Sequence, residues 1–396
     1  MQSYTEFPKL QKIAEPERSD MKRILLAVLL AAMTQALPAQ RLVKGEIKDV
    51  QPQGSYQPTF ASDGAQERPL NIILMIGDGT GLAQIAAGYY ANGGELTVMN
   101  LRHIGFVTTP SSSDFITDSA ASGTAYATGH KTKNHAVGVD AENRPLQNIP
   151  EALAGAGILS GVVTTDLMDG ATPASFFAHQ RKRSMSQAIW ADLPGSPLTF
   201  FAAGNQDRFA RQRRGTRDSI LAVFTLVDHL DDPAAEKAER LGYLPSARES
   251  GFIKDGRTDF LPVSTRFATT FLKERADQGF FLMVEGARID KACHRNQFDS
   301  AVLEMLDFDR AIAEALRFAD ADGHTLVIIS ADHETGGLSL RSGDPSRGDM
   351  KGIFVTHGHT AIPVPLFAYG PHAQDFMGVQ GNDEVGRKIL HLLLGD

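Results

Sequence analysis

The residues able to do chemistry fall into three clusters. The first is Ile76-Gly77-Asp78-Gly79-Thr80-Gly81, a carboxylate behind an apolar run with glycine on both sides. Taken alone, it reads as a turn more readily than as a ligand. The second spans Glu285 to His294. Asp290 and His294 are four apart, so on a helix they share one face and can reach one cation. An isolated pair of this kind also serves as an ion pair or a cap. The third is Asp332-His333-Glu334, followed after a loop by His357-Gly358-His359. Oxygen and nitrogen donors on one loop suit zinc, and their mixture with further carboxylates suits a catalytic site, because a structural one would favour cysteines. Together the clusters hold more carboxylates and histidines than packing requires.

A nucleophile is offered by Thr117-Asp118-Ser119-Ala120-Ala121-Ser122. Small residues after Ser119 allow a tightly packed helix start, whose free N–H groups favour an anion. A serine hydroxyl is a poor nucleophile at its own pKa and needs a base or a metal. The Gly-x-Ser-x-Gly elbow of serine hydrolases is missing, so activation by metal is the better reading. Ser119 by itself would equally serve as a helix N-cap.

These residues need a scaffold, and the apolar runs outline one. Runs at 71–77, 161–165, 198–203, 280–284, 325–330 and 365–369 have the length and composition of buried strands. Helical spacing appears between them, at 151–156 and 301–319. Alternation of this kind predicts an α/β fold: a three-layer α/β/α sandwich on a central, mostly parallel sheet. Asp78, Asp166, Glu285 and Asp332 follow or end these runs, where such sheets bind ligands. The more charged segment 206–259 reads as an inserted helical cap.

Composition narrows the functional classes. With 396 residues, 42% hydrophobic, the chain can bury a large core. A formal charge of −8 without a strong basic run argues against general nucleic-acid binding. From Met21, two basic residues precede an apolar run at 24–33 and small residues to Ala39, the pattern of a secretory signal peptide. That run is too short for a membrane span, so no stable membrane anchor is expected. Residues 1–20 read as an extension or a misassigned start, 40–69 as a linker or surface strap, and 70–396 as the catalytic domain. The single cysteine, Cys293, permits no internal disulfide. The expected location is the periplasm or the exterior.

In order along the chain, Gly77-Asp78-Gly79, Thr117-Asp118-Ser119-Ala120-Ala121-Ser122, Ala171-Thr172-Pro173-Ala174, Glu285-Gly286-Ala287, Ala331-Asp332-His333-Glu334-Thr335-Gly336-Gly337 and Gly358-His359-Thr360 closely resemble the alkaline phosphatase family. The resemblance covers about residues 71 to 371. It implies hydrolysis of small phosphate monoesters, with release of inorganic phosphate at alkaline pH, through a phosphoserine on Ser119. It also implies two zinc ions, one held by Asp290, His294 and His359 and the other by Asp332, His333 and Asp78. A magnesium ion would be completed by Thr172 and Glu285. Arg183, eleven residues after Thr172, would clamp phosphate through its planar fork, with Arg181 as its rival. Lys291 would contact phosphate through water. Relatives are often homodimers, and no interface is legible in this chain. The short stretch between His333 and His359 leaves room only for a small crown. One departure concerns Gly170, which stands where relatives carry aspartate or histidine, with Asp169 one step earlier. A diesterase of the same superfamily is the nearest alternative, and a silent phosphate or zinc binder on the same fold is a more distant one. A sulfatase would need a cysteine in the nucleophile motif.

Overall fold

A computed structural model describes residues 42–204 and 206–395; the extension and signal-peptide assignments at 1–39 lie outside these residues. The chain runs through β1 (Val43–Ile47), β2 (Asn71–Ile76), α1 (Leu82–Ala91), β3 (His103–Thr108), α2 (Ser119–Thr128), α3 (Ile149–Ala154), β4 (Leu159–Thr164), α4 (Ala171–Ala174) and α5 (Ser186–Asp192). It continues through β5 (Phe200–Ala203), β6 (Thr225–Val227), β7 (Leu241–Tyr243), α6 (Phe260–Arg275), β8 (Phe280–Glu285), α7 (Arg288–His294), α8 (Phe298–Asp322) and β9 (Thr325–Ser330). Last come β10 (Glu334–Thr335), β11 (Ser339–Asp344), β12 (Asp349–Phe354), β13 (His359–Thr360), β14 (Val364–Tyr369), β15 (Gly378–Gly381) and α9 (Asn382–Leu394).

Ten strands form the central sheet in the order β15-β3-β14-β9-β2-β8-β4-β5-β7-β6. All run in one direction except β14, which pairs antiparallel with both β3 and β9. The central strands β2, β8 and β9 are buried at every residue, the signature of a sheet covered on both faces. Alternation along β2 divides the core. Ile73 and Met75 pack with α1, α6 and α8 on one face, while Ile72, Leu74 and Ile76 pack with α2, α3, α5 and α9 on the other. These are the three layers that the apolar runs imply.

Two regions flank the core of this architecture. The charged 206–259 segment is not purely helical: β6 and β7 extend the sheet at its edge, beside short helices such as Arg214–Leu221. These strands have three residues each, too few for an apolar run to stand out. The 42–69 stretch is tied down as a strap. β1 pairs antiparallel with β12 in a small three-stranded sheet with β11, and Tyr56 donates to Asp320 on α8 at 2.5 Å. Among the described residues no helix is long and apolar enough to cross a membrane.

Candidate metal centre and nucleophile

Four adjacent strands, β9, β2, β8 and β4, deliver the site residues at their carboxyl ends. Ile76 on β2 lies in register with Ser330 on β9 and with Glu285 on β8, and Glu285 with Thr164 on β4. Asp78, Asp332, Glu285 and Asp166 therefore emerge at one level of the sheet. The turn after β2 needs glycine: Gly79 has φ +74°, and a Cβ there would come 2.7 Å from the Asp290 Cα.

Two groups of donors converge. The ligand atoms of Asp290, His294 and His359 all lie within 4.8 Å of one another, as do those of Asp78, Asp290 and His333. Asp290 belongs to both, so the two halves adjoin. His294 Nε2 and His359 Nε2 are 3.0 Å apart, with Asp290 Oδ1 at 3.3 Å and 3.6 Å from them. His333 Nε2 stands 3.1 Å from Asp332 Oδ2 and 3.7 Å from Asp78 Oδ1.

Each imidazole is oriented through its other nitrogen. His294 Nδ1 meets the His357 carbonyl at 2.5 Å, His359 Nδ1 the Thr117 carbonyl at 2.9 Å, and His333 Nδ1 the Thr335 hydroxyl at 3.2 Å. Nδ1–H donation to a carbonyl fixes the tautomer that leaves Nε2 a free acceptor, the form in which histidine binds metal. Thr335 also donates to Asp290 Oδ1 at 2.5 Å, and Gly79 N–H to Asp332 Oδ1 at 3.0 Å. Sequence reasoning did not single out Thr335, because its role depends on contacts with residues far away in the chain.

The electrostatics are those of a crowd of acids. Burial, and then the charges of Asp332, Asp290 and Glu285, push the Asp78 carboxyl well above its ordinary range. Burial likewise raises Asp332, and burial together with Asp166 raises Glu285 to about 7. Burial and the neighbouring His359 hold His333 neutral. Asp78 Oδ1, Asp332 Oδ2 and Thr172 Oγ1 are buried without hydrogen-bond partners among the described residues. Buried oxygens with no donor, packed beside neutral imidazoles, fit divalent cations: the charge they would supply offsets both the desolvation and the repulsion.

Ser119 opens α2 against this cluster, its Oγ 3.3 Å from His333 Nε2. Asp118 caps the helix by accepting from Ala121 N–H at 3.0 Å. Its other oxygen receives Arg183 Nη1 at 3.3 Å and His135 Nδ1 at 3.1 Å. Burial opposes ionisation of Asp118, but the backbone N–H groups of His135 and Ala121, and then the charge of Arg183, outweigh it and hold the carboxyl below its usual range. Arg183 N–H also donates to the His135 carbonyl at 2.8 Å, while Arg181 and Lys182 are exposed. Of the two candidate arginines, Arg183 is the one that reaches Asp118, the residue before Ser119. Thr172, on α4, packs against α2 at Gly123, where a Cβ would meet the Thr172 Cα at 3.3 Å.

Lys291, on α7, faces Asp166, with which it forms an ion pair, and Arg288 Nη2 lies 3.9 Å from the same carboxylate oxygen. Asp169 turns elsewhere, to Ser186 and Arg208. Cys293 is fully buried, with Gln84 Nε2 at 3.8 Å, and burial raises its thiol pKa, so it packs as a small apolar residue. Asp118 and Asp166 are the site residues whose partners sequence reasoning missed. Asp166 was visible as a strand-end acid, and Asp118 as the neighbour of Ser119.

The family model described as alkaline phosphatase matches residues 70–200 and 261–352. Alkaline phosphatase 4 of Bacillus subtilis is 35% identical, the match covering 82% of this chain and 88% of the relative. Alkaline phosphatase 3 of the same organism is 31% identical over 94% and 98% of the two chains. The alkaline phosphatase of the Antarctic bacterium TAB5 superposes with a TM-score of 0.77 at 36% identity, covering 83% of this chain and 99% of that one. A mutant of that enzyme is known with Mg bound in its M3 site.

Proposed function

The chain belongs to the alkaline phosphatase family and is a phosphatase acting on phosphomonoesters, and we propose that it works through a phosphoserine on Ser119 at a site for two zinc ions and one magnesium ion. Asp290, His294 and His359 would hold one zinc, Asp332, His333 and Asp78 the other, and Asp78, Thr172 and Glu285 the magnesium. When bound, such ions supply Lewis acidity and make hydroxyl groups nucleophilic near neutral pH. The imidazole and carboxylate donors suit zinc, the all-oxygen set magnesium. The Mg bound by the TAB5 mutant is in keeping with the latter assignment.

The chain's own groups carry the rest. Ser119 Oγ would attack phosphorus in line, forming one O–P bond as the ester O–P bond breaks and the alcohol oxygen leaves and takes up a proton. Arg183, held at an angle by Asp118, would take two non-bridging oxygens in its fork. The N-terminus of α2 would add its free N–H groups. Water would then attack the phosphoserine, releasing inorganic phosphate and restoring Ser119. Two inversions leave net retention at phosphorus. Export to the periplasm or beyond belongs to the same proposal, on the signal-peptide pattern at 21–39.

The observation that carries this reading is the placement of Ser119 Oγ at 3.3 Å from His333, at the edge of a buried acid and imidazole cluster with unpartnered oxygens. The test is hydrolysis of p-nitrophenyl phosphate by protein stripped with chelator and resupplied with Zn²⁺ and Mg²⁺, separately and together. Activity should vanish on stripping, return fully only with both ions, and rise towards alkaline pH. Faster turnover of bis(p-nitrophenyl) phosphate than of the monoester would make the protein a diesterase instead.

A further inference from the structure

His135 occupies a backbone conformation that side chains seldom adopt. Its φ is +72°, in the left-handed region, where a residue with a Cβ persists only when its surroundings hold it. What holds it is Asp118. The backbone N–H of His135 donates to Asp118 Oδ1 at 3.0 Å, and its Nδ1 meets Asp118 Oδ2 at 3.1 Å. One residue thus reaches both oxygens of the carboxylate that precedes Ser119. Its carbonyl accepts the Arg183 backbone N–H at 2.8 Å, so the same residue also touches the arginine. The bridge between Val137 and Gln180 extends that contact and ties the two segments together. The imidazole itself packs against little. Its side chain is 67% exposed, so burial does not account for a strained residue at this place.

The tautomer follows from the partner. Asp118 is held in its ionised form, and a carboxylate can only accept, so Nδ1 carries the proton whatever the charge on the ring. An ionised carboxylate has about four acceptor positions. Those of Asp118 are filled: Ala121 N–H and His135 N–H lie on Oδ1, His135 Nδ1–H and Arg183 Nη1 on Oδ2. Among the described residues, the Nη1 contact at 3.3 Å is the one hydrogen bond that the Arg183 guanidinium makes. A guanidinium free to approach a carboxylate closes on it with two bonds. Here the imidazole stands where the second would go.

We propose that His135 is a positioning residue for phosphate binding: its imidazole fills the last acceptor position of Asp118, limits Arg183 to one bond with that carboxylate, and so leaves the remaining N–H groups of the guanidinium for phosphate. The inference rests on the reading of Arg183 as the phosphate clamp. Without the imidazole, the vacant position takes a second N–H of Arg183. The guanidinium is then drawn down onto its own aspartate, and an incoming anion finds fewer donors.

The experiment uses the full chain loaded with Zn²⁺ and Mg²⁺. Inorganic phosphate is the probe, titrated by calorimetry, with thermal midpoints measured alongside. His135→Gly deletes the imidazole and suits the left-handed backbone. Phosphate binding should weaken roughly tenfold, while the thermal midpoint holds or rises. His135→Asn tolerates a positive φ and puts an amide N–H where Nδ1 stood, so it should bind phosphate as the parent does. In an Arg183→Ala background, His135→Gly should weaken binding no further, because the imidazole acts through the arginine. Unchanged phosphate affinity in His135→Gly, or an equal loss in His135→Asn, would overturn the proposal. So would a loss that persists without Arg183, which would make the imidazole a direct phosphate contact. A matching fall of affinity and thermal midpoint in both variants would make His135 purely structural and end the proposal too. The clamp reading has its own outcome: Arg183→Ala that binds phosphate like the parent removes it. If Arg183→Ala is impaired and His135→Gly is not, the clamp stands and the inference about His135 falls alone.

Discussion

Ser119 is set apart from the other serines of the chain by what converges on it. Its hydroxyl lies beside a neutral imidazole, and the residue before it is a carboxylate that fixes an arginine. A hydroxyl so placed has a guanidinium on one side and a group of residues that could hold a cation on the other. Ser119→Ala removes the oxygen proposed to be phosphorylated, while the cluster of candidate ligands stays intact. Turnover should fall by at least about a thousandfold, the scale of losing a covalent route, with zinc content near parental by elemental analysis. Near-normal turnover would mean that another group attacks phosphorus. Asp118 has a double duty, capping α2 and anchoring Arg183. Asp118→Ala should cost about 1 kcal/mol of stability through the lost cap, measured by denaturant unfolding. It should also raise KM more than a lost cap alone explains, because Arg183 is released.

At the scale of elements, the site is a row of strand ends closed by a few tight turns. The turn after β2 passes so close to α7 that only glycine fits at position 79. Gly79→Ala combines a left-handed φ of +74° with a Cβ 2.7 Å from the Asp290 backbone. It should destabilise by roughly 1–3 kcal/mol and shift Asp290, so zinc affinity should fall along with the thermal midpoint. Retained zinc affinity would show that the two elements can separate without disturbing the ligand. Helix α2 is built almost wholly of small, buried residues, which lets it sit against α4 and the ends of β9. Ser122 and Tyr126 on α2 donate to the carbonyls of Asp332 and Ala331 at 2.8 Å and 2.9 Å, locking the helix that begins at Ser119 to the loop that carries Asp332 and His333.

For the whole molecule, the acid cluster is a liability that cations should turn into an asset. Asp78, Glu285 and Asp332 carry raised pKa values when folded, chiefly through burial, with Glu285 at about 7 against an ordinary 4.5. Through these acids the folded state binds more protons than the unfolded state between these values, so their contribution to stability without metal falls as pH rises through that window, opposed only below about 6.5 by the depressed His333. Thermal midpoints of chelated protein should drop between pH 5 and pH 8. Resupply of Zn²⁺ and Mg²⁺ should abolish the drop and raise the midpoint, by about 2.7 kcal/mol of stability for an ion at a hundred times its Kd. A chelated protein whose stability is flat or rises over this range would show that the acids are not strained by one another.

How much of this was legible in the sequence depends on the range of the interactions involved. Strands β2, β8 and β9 could be read directly, because a strand buried on both faces is a short, nearly continuous apolar run, and its length and β-branched content separate it from a helix. The ligand types and the helical spacing of Asp290 and His294 were legible for a related reason: donor chemistry belongs to the residue, and i,i+4 geometry to the helix. The edge strands β6 and β7, too short to show periodicity, took their form from pairing with β5 and with each other. Which arginine reaches Asp118 was decided by the backbone contacts between residues 135–137 and 180–183. That Lys291 pairs with Asp166, 125 residues away, was decided by strand register, because β4 and β8 lie side by side and end at the same level. The sequence alone determined the parts and the chemistry they could do; the packing of strand ends from distant segments decided which of them meet.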